Sequence, residues 1–125
     1  WWPGGLGKTS THCVLMAQLV IDGKTLGVHP FFIQLRSLTD HKPLPGITIG
    51  DIGPKLGFNS TDNGFCRFHY LRVSRTSLLG GVAEVCPGGR YSRIPGGQKQ
   101  AYGAMLAVRA SLVIGASVAL GRALT

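Results

Sequence analysis

The pattern of apolar and turn residues changes once along this chain, and that change limits the fold more than any other feature. Up to about residue 97, short apolar stretches are punctuated by glycine and proline, and from residue 98 onward Ala, Leu, Val and Ser dominate. The first pattern suits strands joined by tight turns, the second a helix by intrinsic propensity. The expected fold is therefore mainly β over residues 1–97, followed by one C-terminal α-helix over residues 98–125.

Within the first part, Cys13, Val14, Leu15, Met16, Leu19 and Val20 form a nearly continuous apolar run, which fits a strand buried on both faces or a short helix. Ile21-Asp22-Gly23-Lys24 then supplies a turn, and Phe31-Phe32-Ile33-Gln34-Leu35-Arg36 a second strand, so a hairpin is expected. Pro43 and Pro45 impose a loop, because neither has a backbone donor. Ile47-Thr48-Ile49 reads as a short strand. Residues 65–73 read as a half-buried strand with Cys66, Phe68 and Tyr70 on one side and Arg67 and His69 on the other. Pro87-Gly88-Gly89-Arg90-Tyr91 and Pro95-Gly96-Gly97 bound a stretch that suits a linker. In the helix, Ser111, Gly115 and Ala119 share one face and would let a neighbouring helix approach closely. No membrane span is expected, since the uncharged run between Arg109 and Arg122 is shorter than the roughly 20 residues a bilayer needs.

Composition narrows the partners. The formal charge is +8, from 13 Lys and Arg against 5 Asp and Glu, which favours a phosphate-rich ligand or simple solvation of scattered basic residues. Nucleic acid is not expected, because no basic block with interleaved aromatics occurs. Cys13, Cys66 and Cys86 are widely spaced and indicate neither a disulfide framework nor zinc. His12, His29, His41 and His69 share no ligand spacing, so no metal is expected either. The sequon Asn59-Ser60-Thr61 is read as unused, and the start Trp1-Trp2-Pro3 does not have the form of a secretory leader.

The first ten residues, Trp1-Trp2-Pro3-Gly4-Gly5-Leu6-Gly7-Lys8-Thr9-Ser10, place indoles beside a glycine-rich backbone and a lone lysine. A phosphate loop is excluded: its first glycine would fall on Trp2, and no buried strand leads into it. Lys8 could meet a phosphate, but a lone lysine is more commonly solvated.

This segment resembles the flavin-contacting segment of the acyl-coenzyme A oxidases. The resemblance continues in order through His41-Lys42-Pro43-Leu44-Pro45-Gly46-Ile47-Thr48, Gly50-Asp51-Ile52-Gly53-Pro54-Lys55-Leu56-Gly57, Asp62-Asn63-Gly64 and Tyr102-Gly103. It implies the antiparallel, barrel-like or sandwich middle domain of the acyl-coenzyme A dehydrogenase and oxidase fold, then the first helix of a helical domain. The chain would be an internal piece of a longer enzyme. That enzyme would use FAD to desaturate fatty acyl-coenzyme A to the trans-2-enoyl product, releasing hydrogen peroxide in peroxisomal β-oxidation, and would be a homodimer at full length. A related dehydrogenase and a non-catalytic oxidase-like module are the alternatives.

By the same resemblance Trp2, Gly4 and Gly5 contact the flavin. Glycine would let backbone approach the ring and an indole would wall it, whereas Trp1 is left as a core or interface aromatic. Arg109 would lie near bound acyl-coenzyme A or serve in an internal salt bridge. No catalytic residue is expected within this chain: its only glutamate, Glu84, reads as a surface carboxylate, and the family's base belongs further on. Ser74, where the family commonly has proline, and the turn at Cys86-Pro87-Gly88-Gly89-Arg90 depart from the pattern.

Overall fold

The computed structural model describes Trp2 and residues 4–124, with Gln98, Gln100, Ala101, Tyr102, Ala104 and Met105 described in backbone only. It is mainly β with a single C-terminal helix, as the sequence predicts. The chain divides into two compact units, Trp1–Leu79 and Gly80–Thr125.

The first unit is built on a long hairpin. β1 (His12–Ile21) pairs antiparallel with β2 (Lys24–Gln34), with Ile21 opposite Lys24. Only Asp22 and Gly23 lie between them, at φ of 48° and 76°. Two consecutive positive φ values make the tight turn whose twist matches that of the flanking strands, which is why Asp-Gly here sets the register. The register shifts between Leu19 and Val20, beside Gly27 at φ 96°. The predicted second strand thus begins earlier than Phe31. The run in β1 is not buried on both faces: Cys13, Leu15, Phe31 and Ile33 turn to the core, while Val14, Met16, Val20, Val28 and Phe32 are exposed.

A second hairpin joins β3 (Ile47–Asp51) to β4 (Gly64–Phe68), with Ile49 opposite Cys66 and Asp51 opposite Gly64. Its apolar side meets the first hairpin around Leu6, Ile33, Leu35 and Ile47, all buried, with Leu44, Ile49, Cys66 and Phe68 packed around them. Burial pushes the Cys13 and Cys66 thiols above their usual range. The predicted strand over residues 65–73 stops at Phe68, because Tyr70 adopts φ 48° and turns out to solvent. Ser74 caps a short 3-10 turn at Arg75–Ser77, its Oγ accepting from the Thr76 N–H, so the serine at this departure from the family pattern has its own local role. Bridging of Leu78 to Phe31 ties that turn to β2.

In the second unit β5 (Ala83–Val85) pairs antiparallel with β6 (Tyr91–Arg93). The stretch read as a linker therefore contains a strand, closed by the Cys86 N–H on the Arg90 carbonyl at 2.9 Å. The helix α1 (Gly97–Ala123) follows Gly96, which adopts φ 81°. A Cβ on Gly97 would strike the Gly81 carbonyl and the Val82 backbone, so the helix can start this close only with glycine. Leu106, Val108, Leu112, Val113, Ile114, Val118 and Leu120 leave apolar surface exposed around α1. By length and composition Leu106–Ala123 is apolar enough to cross a membrane, even with Arg109 and Arg122 inside that stretch.

Leu35 is fully buried at the centre of the core cluster. Its replacement by alanine should cost about 2 to 5 kcal/mol, read as a lowered thermal midpoint. An unchanged midpoint would show that this cluster does not support the first unit.

Candidate functional site

The glycine-rich segment before β1 is held in place at several points. Leu6 is buried in the core. Trp2 bridges to Gly64 by two backbone hydrogen bonds, of 3.0 and 2.8 Å. Between these anchors the backbone packs on the end of the second hairpin with no room for side chains. A Cβ on Gly64 would collide with the Gly7 N–H and lie 2.8 Å from Gly7 Cα, and one on Gly7 would lie 2.9 Å from Asp51 Cα.

Gly5 adopts φ 75° and turns its carbonyl inward, where it accepts the N–H groups of Lys8, Thr9 and Ser10 at 3.3, 2.8 and 2.8 Å. Ser10 Oγ donates to the Gly4 carbonyl at 2.7 Å. From the other side comes Arg36, which is 4% exposed. Its Nη1 donates to the Ser10 carbonyl at 2.6 Å and its Nη2 to the Gly7 carbonyl at 3.1 Å. Sequence reasoning missed this residue.

Of the residues predicted to contact a cofactor, the structure brings Trp2, Gly4 and Gly5 together. A Cβ on Gly4 would sit 2.6 Å from Trp2 Nε1, so the indole lies against the glycine. Trp2 is nevertheless 65% exposed, leaving a wide apolar ring beside bare backbone. Trp1 and Pro3 lie outside the described residues. Arg109 is exposed on α1 and makes no ion pair among the described residues. Glu84 is exposed on β5, and among the described residues no three His, Cys, Asp or Glu side chains gather as metal ligands.

Lys8 is engaged locally: its Nζ lies 3.3 Å from Asp51 Oδ2. The Asp51 carboxylate accepts the Gly53 N–H at 2.6 Å. That hydrogen bond first, then Lys8 and Lys55, holds its carboxyl below the usual carboxylate range. His41 Nε2 donates to the Lys8 carbonyl at 3.0 Å. Beside this cluster a cleft of about 700 Å³ is lined by Lys8, Thr9, Asp51, Lys55, Asn59 and Asp62, among others. Asp62 Oδ1 is buried there without a hydrogen-bond partner among the described residues.

The segment thus offers a flat indole, glycine backbone and polar groups on a rigid base, an arrangement suited to the edge and face of a planar ring system. No protein-family profile matches the chain. Peroxisomal acyl-coenzyme A oxidase 1 of Arabidopsis thaliana is 50% identical over 128 residues, covering 98% of this chain and 19% of that protein. The solved acyl-CoA oxidase from tomato superimposes with a TM-score of 0.83 at 50% identity, over 94% of this chain and 18% of that one. Acyl-CoA oxidase-2 from Caenorhabditis elegans, solved with FAD, ascaroside-CoA and ATP, does so at 0.72 and 45% identity, over 76% and 14%.

This chain belongs to the acyl-coenzyme A oxidase family. It spans about 19% of the length of the curated relatives it matches.

The contact between Gly7 and Gly64 yields a direct test of the oxidase segment's seating. Gly64→Ala must separate two backbones, and neither can rotate away as a side chain would. A loss of about 1 to 3 kcal/mol is expected, seen as a lower thermal midpoint. Full stability in Gly64→Ala would mean that the glycine segment is not packed on the second hairpin.

Proposed function

We propose that this chain is the flavin-contacting β region and the first bundle helix of an FAD-dependent, peroxisomal acyl-coenzyme A oxidase. The whole protein would desaturate fatty acyl-coenzyme A to the trans-2-enoyl thioester. The observation that carries the reading is that the flavin-contact motif is held by three N–H groups on the Gly5 carbonyl and by Ser10 Oγ on the Gly4 carbonyl, with Trp2 left open beside it. The solved relative with FAD, ascaroside-CoA and ATP, and the peroxisomal naming of the curated relatives, support the same reading.

Bound FAD would supply the acceptor for the hydride leaving the substrate's β-carbon, with oxygen as the final electron acceptor and hydrogen peroxide as its product. In this proposal Trp2 packs beside the ring and the backbone of Gly4 and Gly5 meets its edge. The base that takes the α-proton is supplied outside residues 1–125, since Glu84 stands exposed on β5. Residues 1–97 form the β region, and residues 98–125 open the helical one. The uncharged run between Arg109 and Arg122, shorter than the roughly 20 residues a bilayer needs, supports α1 as a bundle helix. Ser111, Gly115 and Ala119, at four-residue spacing, suit close helix contact, and the full-length protein would be a homodimer.

Two substitutions in the full-length protein test the assignment. In Gly4→Val the branched side chain must displace the Trp2 indole as well as fill the approach to the ring, at an overpacking cost of about 1 to 3 kcal/mol. Flavin content of the purified variant should fall, and undiminished flavin would refute the role of Gly4. Arg109→Gln should raise the Michaelis constant for fatty acyl-coenzyme A by about 1.5 to 3 kcal/mol of lost charged hydrogen bonding, with the melting temperature little changed. A lower melting temperature with unaltered substrate affinity would assign Arg109 to the fold instead.

A further inference from the structure

Arg36 is a buried cation with no carboxylate partner among the described residues. Burying a charge this way is costly unless its donors are satisfied, so the carbonyls it meets are fixed by it as much as it is by them. Those carbonyls belong to Gly7 and Ser10, which bracket Lys8 and Thr9, the residues whose N–H groups close on the Gly5 carbonyl. The turn is therefore held from inside by one carbonyl and from outside by one guanidinium.

The backbone of Arg36 is itself fixed. Its N–H donates to the Thr11 carbonyl at 3.2 Å, and its carbonyl accepts the Gln34 side-chain amide at 2.8 Å. Arg36 also bridges to Pro43. The guanidinium thus starts from a rigid strand end and spans to the glycine segment. A fork of two donors from one planar group sets the spacing of the two carbonyls, which a single ammonium cannot do.

We propose that Arg36 is a positioning residue for the flavin: by joining the Gly7 and Ser10 carbonyls it holds the Gly4–Gly5 backbone in the shape that meets the ring. This inference rests on the flavin reading of the segment. Arg36 acts through the backbone and does not touch the reacting atoms.

The test compares Arg36→Met, Arg36→Lys and Val82→Ala in the full-length protein. For each, FAD is titrated into the apoprotein, the apoprotein's melting temperature is measured, and the visible circular dichroism of the bound flavin is recorded. Arg36→Met should weaken FAD binding by about tenfold or more and alter the dichroic bands, while Arg36→Lys, able to serve one carbonyl at a time, should fall between it and wild type. Val82→Ala, at a buried position of the second unit, should lower the melting temperature yet leave FAD affinity and the bands close to wild type. If Arg36→Met yields no folded protein, Arg36→Lys decides, by the same two flavin readouts. Wild-type affinity and unaltered bands in the Arg36 variants would overturn the proposal, as would a loss of affinity that Val82→Ala matches at equal loss of stability. A wild-type protein that takes up no FAD would instead overturn the flavin reading itself, and the inference with it.

Discussion

The first unit depends on backbones approaching more closely than any Cβ would allow. Gly7 rests against Gly64 at the start of β4 and beside Asp51 at the end of β3, so the glycine segment and the second hairpin behave as one packed layer. Leu6, next in sequence, enters the core shared by both hairpins. Close approach of main chain and burial of one apolar side chain thus fix the same few residues from two directions. What lies above them, the open face of Trp2 and the bare backbone of Gly4, inherits that rigidity.

Polar contacts then refine the placement. Arg36 and the Gly5 carbonyl tie the turn from opposite sides, and Asp51 holds Lys8 and the Gly53 N–H at its rim. The Lys8 pair is partly exposed and contributes little to stability, so its effect is on where the lysine stands. A buried guanidinium bonded to two carbonyls is a different matter, because removing it strands both acceptors. In the proposed oxidase, where the protein's share of the chemistry is orientation, such a scaffold would lie beneath the flavin.

How much of this could be read from the sequence varied with the range of the interactions involved. The first hairpin was legible because Asp22-Gly23 both demands positive φ and sets the register. Trp2, Gly4 and Gly5 stood out through the motif they share with the oxidases. The end of β4 was not legible, since alternation continues through Tyr70 while the backbone there turns to φ 48°. The β5 and β6 pairing was hidden because strands of three residues carry no periodicity. Arg36 gave no signal at all: an arginine at a strand end ordinarily reads as solvated, and its two partners lie 26 and 29 residues away. In α1 the two arginines decide how the apolar stretch reads. The uncharged run alone is too short, yet with Arg109 and Arg122 included it is apolar enough to span.

The most direct test of the central claim is an experimental structure of the full-length protein with FAD bound. The flavin ring should lie against the Trp2 indole with its edge at the Gly4–Gly5 backbone, and the Arg36 guanidinium should still join the Gly7 and Ser10 carbonyls beneath it. A flavin bound away from residues 2–5, with that segment facing solvent, would contradict the account.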